Sequence, residues 1–293
     1  MPRTRPNRTA PARTRAFYAR IAAAKGGALR AALEDAFARV PRERFLGPPP
    51  WYAVTAAGYV RVPGDDPTYV YQDLLFALDP EKGINNGEPT LHGQLIAALE
   101  PGPGDTVLHI GCGTGYYSAI LAELVGPEGR IVAYEIEPDL AARASEYLAP
   151  WPNVEVRAQS GTEAGLPRAN AIYVNAGATR PLPEWLDVLE EGGRLVFPLI
   201  TEDGWGVTLK VLRRRGGFWT WVLNQIRFIG CAGATDPEEG EAVAESLQRG
   251  DLFRARSLHR GTVSDETAVL VGHGWWLATS LPPEEGSFGD DRC

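Results

Sequence analysis

Thr106-Val107-Leu108-His109-Ile110-Gly111-Cys112-Gly113-Thr114-Gly115-Tyr116, with Glu135 further on, is the stretch that decides how this chain is read. A β-branched, apolar run leads straight into glycines at every second position, and the residues over 117–125 carry apolar side chains at helical spacing. Without Cβ atoms the chain can turn sharply and a ligand can lie against its backbone. The helix that opens after the loop offers unpaired N–H groups to an anion. Glu135 closes the next apolar run about twenty residues on, where a carboxylate can accept both hydroxyls of a ribose. A plain structural turn is the alternative reading of the glycines alone. Strand, glycine loop, helix and strand-terminal acid in that order point instead to a nucleoside-bearing ligand.

The glycine spacing narrows the ligand. A dinucleotide loop needs G-x-G-x-x-G, with the pyrophosphate over the helix N-terminus. Here the third glycine comes one position early, giving G-x-G-x-G. That spacing favours a cofactor without phosphates, whose amino-acid carboxylate would meet the backbone N–H groups.

Outward from this core the pattern alternates. Strands are expected over 106–110, 130–135, 154–158, 171–175 and 194–199, and helices over 89–99, 117–125, 139–148 and 183–189. Short strands alternating with amphipathic helices predict an α/β fold, a doubly wound, mostly parallel Rossmann-like sheet with helices on both faces. Longer strands over 207–213 and 218–229, joined at Gly216-Gly217, predict an antiparallel C-terminal hairpin. The expected organisation is a basic disordered arm (1–16), a helical and irregular substrate-side region (17–88), a cofactor-binding core (89–233), a C-terminal extension (234–281) and a disordered tail (282–293). The extension should hold an acidic helix over 237–248 and one more apolar run over 267–280.

Composition bounds the partners. The chain has 293 residues and a net charge of −8, a balance that argues against tight nucleic-acid binding, which rests on Lys and Arg neutralising phosphates. The exception is the arm, with Arg3, Arg5, Arg8, Arg13 and Arg15 and no acid, read as a solvated tail rather than a contact or targeting segment. No apolar run approaches the roughly 18 residues of a membrane helix. Cys112, Cys231 and Cys293 are widely spaced and suggest neither a disulfide framework nor a metal site, which fits a reducing, cytoplasmic setting. The oligomeric state is left open.

The stretch His109 to Tyr116, Glu135 and the segment L-E-E-G-G-R-L-V-F-P over 189–198 resemble the class I S-adenosylmethionine-dependent methyltransferases, and within them the protein-L-isoaspartate O-methyltransferases. Val40-Pro41-Arg42-Glu43-Arg44-Phe45 is similar to that family's V-P-R-E-x-F, Pro89 stands where the family has its proline, and Ile226-Arg227-Phe228 resembles its late R-F strand. The likeness spans about 29–233. It implies S-adenosyl-L-methionine as cofactor, a protein or peptide substrate, carboxyl O-methylation of isoaspartyl or aspartyl residues, and a role in protein repair. The expected cofactor contacts are His109, Gly111, Cys112, Gly113, Thr114, Gly115, Tyr116, Glu135, Ile136, Ser160 and Gly161.

The chain also departs from that family. His109 stands where an acid is usual, Ser160 near a second, and Ile84-Asn85-Asn86-Gly87-Glu88 replaces the T-I-S run, leaving the family's serine without a clear counterpart. Asn85 and Asn86 are the candidates for orienting a substrate carboxylate through amide donors, with ordinary turn chemistry as the alternative. Asn175, at a strand end, is expected to line the reaction site. His109 could bond the cofactor or simply be satisfied within the core, His92 could face a ligand or solvent, and Cys112 reads as a small loop filler rather than a nucleophile. Three other readings are open: a methyltransferase with a dedicated peptide or small-molecule substrate, a catalytically inactive cofactor-binding module, and a nicotinamide oxidoreductase.

Overall fold

The computed structural model describes residues 10–282. Arg3, Arg5, Arg8, Cys293 and the expected tail beyond Pro282 lie outside the described residues. The chain divides into two compact units, one built from Met1–Asp105 and Cys112–Gln159, the other from Thr106–Gly111 and Ser160–Cys293.

The first unit opens with α1 (Ala12–Ala22), α2 (Arg30–Arg39) and α3 (Arg42–Leu46), then β1 (Tyr52–Thr55), β2 (Gly58–Arg61), β3 (Ala77–Asp79), β4 (Ile84–Asn85) and α4 (Pro89–Leu99). The chain contributes β5 (Thr106–Ile110) to the second unit and resumes in the first with α5 (Tyr116–Val125), β6 (Arg130–Tyr134), α6 (Pro138–Tyr147) and β7 (Val154–Arg157). β1 pairs with β2 and β3 with β4, both antiparallel, while β6 and β7 are parallel. α4 starts on Pro89, whose fixed φ suits a first helical turn, and the next N–H, of Thr90, is capped by Asp73 Oδ1 at 2.8 Å. Glu100, in left-handed conformation ahead of Pro101, ends it. Eight of the ten residues of α5 are buried, so this helix is core throughout rather than amphipathic.

The second unit continues with β8 (Ala169–Val174), α7 (Pro183–Val188), β9 (Leu189–Ile200), β10 (Trp205–Arg214), β11 (Gly217–Arg227), α8 (Pro237–Arg249), β12 (Ser257–Arg260), β13 (Ala268–Gly272) and β14 (Trp275–Ala278). Its strands run in the order β13-β14-β12-β11-β10-β9-β8-β5. β5·β8 and β8·β9 are parallel, and every pairing from β9 outward is antiparallel. Four of the five residues of β5 are buried, as expected of a strand covered on both faces. The fold is therefore α/β, with parallel strands around the glycine loop and antiparallel strands toward the C-terminus.

Three expectations need correction. The basic arm was expected to lack structure through residue 16, yet α1 begins at Ala12, because Tyr18, Ala19 and Ala22 are buried and give the helix a packed face. The irregular part of the substrate-side region holds two short hairpins, β1–β2 and β3–β4, between residues 52 and 85. In the extension, the single apolar run over 267–280 folds back on itself at Gly274, whose φ is 81°, and β12 joins it, so the antiparallel part exceeds one hairpin.

Candidate cofactor and acceptor site

Gly111, Gly113 and Gly115 all hold positive φ, at 74°, 57° and 93°. An added Cβ at Gly115 would come within 2.5 Å of Leu148 Cδ1, and one at Gly113 within 3.1 Å of Leu78 Cδ1. The loop is thus glycine both for its turns and for its neighbours. The Gly113 N–H donates to Glu135 Oε2 at 2.7 Å, and the Glu137 N–H to Glu135 Oε1 at 3.0 Å. Backbone bonds complete the frame, from Cys112 N–H to Tyr134 O and from Glu135 N–H to Arg157 O. Glu135 is 6% exposed. Burial raises its carboxyl above the ordinary range, while the N–H groups of Glu137, Gly113 and Ile136 pull it back by favouring the ionised form. The result is a glycine cradle with a buried acid hydrogen-bonded to its floor, and beside it Ile136, 50% exposed.

A cavity of about 550 Å³ in the same unit is lined by Leu78, Asp79, Lys82, Glu137, Asp139 and Arg143, among others. Lys82 pairs with Glu137, and Arg143 Nη1 donates to the Leu78 carbonyl at 3.3 Å, so the β3 turn is held against the start of α6.

The other expected cofactor contacts divide. Cys112 is buried, and burial together with the nearby Glu135 charge pushes its thiol well up, which suits a loop filler and not a thiolate nucleophile. The Thr114 hydroxyl is committed to the Phe45 carbonyl at 2.5 Å and ties the loop to α3. The Tyr116 hydroxyl meets that of Tyr18 at 3.0 Å, and its ring packs on Phe37, Phe45 and Tyr117. The side chains of Thr114, in the loop, and Tyr116, at the start of α5, are both buried and packed into the core.

His109 is fully buried and stacked on Tyr173 with ring centroids 5.2 Å apart. It sits one residue before the strand end, opposite Tyr173 in the ladder, and burial lowers its imidazole to about 3. The structure therefore makes His109 a neutral core residue rather than the loop contact expected. In the second unit, Ser160 Oγ meets Thr162 Oγ1 at 2.7 Å, and the Gly161 carbonyl accepts from Trp185 Nε1 at 2.9 Å.

On the acceptor side, Asn85 Oδ1 accepts the Gly87 N–H at 2.9 Å, which is turn chemistry. Asn86 is different. It is 6% exposed, its Oδ1 accepts the Phe76 N–H at 2.8 Å, and its Nδ2 is buried without a partner. Asn175 follows β8, its N–H donating to Ile110 O at 2.8 Å, and its backbone lies about 3.6 Å from where a Gly111 Cβ would be. Asn175 and Gly111 thus stand together at the C-terminal ends of β8 and β5, where open α/β sheets bind ligands.

Sequence reasoning missed what holds the segment before β3. The buried Arg42 guanidinium donates to the carbonyls of Val70, Gln72 and Leu74 at 2.7, 2.6 and 2.6 Å and lies over the Tyr18 and Phe76 rings. Tyr71 donates to Glu43 at 2.5 Å, and burial beside that carboxylate pushes the phenol far up. The signal was the Arg42-Glu43 pair directly after Pro41, within the V-P-R-E-x-F stretch.

Comparison with known proteins bears on the whole arrangement. Residues 22–235 match the family model of protein-L-isoaspartate(D-aspartate) O-methyltransferase. A protein-L-isoaspartate O-methyltransferase of Ignicoccus hospitalis is 31% identical over 210 residues, 70% of this chain and 91% of the relative. One of Aeropyrum pernix is 37% identical over 175 residues, 58% of this chain and 60% of the relative. A solved protein-L-isoaspartate O-methyltransferase superposes with TM-score 0.59 at 21% identity, over 82% of this chain and 72% of that one. A putative Plasmodium falciparum enzyme of this kind, solved with S-adenosyl-L-homocysteine, gives TM-score 0.54 at 18% identity, over 72% of this chain and 98% of that one. The fold is thus shared with these structures, and the chain belongs to the protein-L-isoaspartate(D-aspartate) O-methyltransferase family.

Proposed function

We propose that this protein methylates the free carboxylate of isoaspartyl residues in proteins or peptides, using S-adenosyl-L-methionine. The observation that carries the reading is the buried Glu135 held against the G-x-G-x-G floor by the Gly113 N–H, within a stretch that matches the family model. The residues fit the cofactor: left-handed glycines turn the loop tightly and keep its backbone bare, and a carboxylate already oriented by backbone N–H groups keeps lone pairs for ribose hydroxyls. The half-exposed Ile136 offers an apolar surface to a base.

The bound cofactor supplies an electrophilic methyl group on a sulfonium. An acceptor carboxylate is ionised near neutral pH, so no protein base is needed, and the chain's task is to align the acceptor and exclude water. Asn86 Nδ2, buried and unpaired, is the donor we assign to the acceptor carboxylate, with Asn85 shaping the turn. We further read the setting as cytoplasmic protein repair, supported by free, buried Cys112 and Cys231, which suit a reducing compartment. Among the described residues no helix is long and apolar enough to cross a membrane.

Incubation with methyl-labelled cofactor and an isoaspartyl peptide, beside its ordinary aspartyl twin, tests the proposal. Base-labile label on the isoaspartyl peptide alone is expected; equal background on both overturns it. The altered 84–88 stretch favours one second reading, a dedicated peptide or small-molecule acceptor, which predicts base-labile label on a single endogenous partner.

A further inference from the structure

The stretch 84–88 differs from the family pattern, and the structure shows what surrounds it. Gly87 has φ 72°, and a Cβ built on it would fall 2.0 Å from His92 Nε2, 2.5 Å from Cδ2 and 3.0 Å from Cε1. The Nε2 edge of the imidazole therefore points at Gly87 and fills the volume that any side chain there would need. His92 is 1% exposed and stacks on Tyr117, with centroids 4.0 Å apart and planes at 17°. Tyr117 is the second residue of α5, directly after the glycine loop, and its hydroxyl donates to the Gly87 carbonyl at 3.4 Å. Tyr117 thus reaches Gly87 both through its hydroxyl and through the ring of His92.

The next residue back is Asn86. Its N–H donates to Phe76 O at 3.0 Å and its Oδ1 accepts the Phe76 N–H at 2.8 Å, so main chain and carboxamide are both fixed on one side by β3 and its approach. On the other side it joins Gly87, pressed by His92. The buried Nδ2 is left as the one group of this segment without a partner among the buried side-chain atoms near it. Leaving a buried amide donor unpaired is costly, which points to a bound group as its partner.

We infer that His92, stacked on Tyr117, is a positioning residue: it clamps Gly87 so that Asn86 presents its Nδ2 donor to the acceptor carboxylate at a fixed place relative to the cofactor helix. The inference rests on the reading of 84–88 as the acceptor side. An aromatic replacement retains the stacking on Tyr117, whereas alanine removes it.

Four variants test this: His92→Ala, His92→Phe, Gly87→Ala and the Gly87→Ala/His92→Ala double. In His92→Ala, KM for an isoaspartyl peptide is expected to rise about tenfold or more, the size of one lost charge-assisted hydrogen bond, while the calorimetric Kd for S-adenosylhomocysteine stays within about threefold. His92→Phe is expected to recover most of that loss. Gly87→Ala should raise KM because its Cβ displaces the ring, and should cost less when His92 is already alanine, leaving only the backbone strain. An unchanged KM in His92→Ala, or a loss of cofactor affinity that tracks it, overturns the inference.

A readout independent of turnover is hydrogen exchange of the 84–88 amides, expected to quicken in His92→Ala and to be largely restored in His92→Phe. Unchanged exchange overturns the clamp. If the native protein labels no isoaspartyl peptide while exchange behaves as expected, the proposed function fails and the clamp stands.

Discussion

At the scale of single residues, the two titratable groups most open to test are buried. Glu135 accepts two backbone N–H groups, and its free lone pairs are assigned to the cofactor's ribose. Glu135→Ala is expected to weaken S-adenosylhomocysteine binding about 10–100-fold, the worth of hydrogen bonds to a charged group, as read by calorimetry. Glu135→Gln, which keeps one carbonyl acceptor, should lose less. His109 carries a different signature. Folded, it stays neutral down to about pH 3. Unfolded, it takes up a proton near pH ~6.5. The unfolded chain therefore binds more protons as pH falls below about 6.5, and this contribution to stability, full above that value, declines by about 1.4 kcal/mol per pH unit toward the folded value. Urea titrations at pH 7 and pH 5 should show the native chain losing roughly 2 kcal/mol more than His109→Phe, which keeps the stack on Tyr173 without the proton.

At the scale of elements, the start of α3 organises the approach to β3 from a distance. Arg42 satisfies three carbonyls between Val70 and Leu74, and its planar fork reaches all of them from one buried position. Lysine carries three donors on one nitrogen and cannot span the same spread. Arg42→Lys is expected to lower stability by about 3 kcal/mol through unpaired buried carbonyls, measured by urea unfolding. Amide exchange should quicken first over 67–76, the segment it holds, and the peptide KM should rise with it because Phe76 anchors Asn86.

At the scale of the whole molecule, the part beyond the family match is structural. Glu239 of α8, 2% exposed, accepts the His273 N–H at 2.9 Å and Trp275 Nε1 at 2.7 Å, and Ser246 Oγ donates to Val269 O at 2.7 Å. β12 pairs with β11, and the Asp236 N–H donates to Thr179 Oγ1 at 2.9 Å. Ending the chain after Gly233 would expose the edge of β11 and the apolar contacts of Val243, Leu252 and Leu258, all buried. Such a truncation is expected to aggregate on expression, checked by the soluble fraction and size exclusion, even though it retains nearly all of the family match.

The local parts of this protein were legible from its residues. Strand, glycine loop, helix and strand-terminal acid occupy 106–135, and their signals, positive-φ glycines and short apolar periods, act over a few residues, so pattern alone placed them within a residue or two. What the neighbours of those residues are doing was not legible. Thr114 and Tyr116 stand in the motif, yet their hydroxyls are taken by Phe45, 69 residues away, and Tyr18, 98 away. α1 exists because Tyr18 and Ala22 are buried, and Gly87 is glycine because His92 occupies its side-chain space. The sequence by itself determined the cofactor loop and the alternation that carries it, because those follow from chain stereochemistry and period. Which side chains face a ligand and which are consumed by the core was decided by the tertiary structure, because that depends on which distant carbonyl, ring or hydroxyl each one meets.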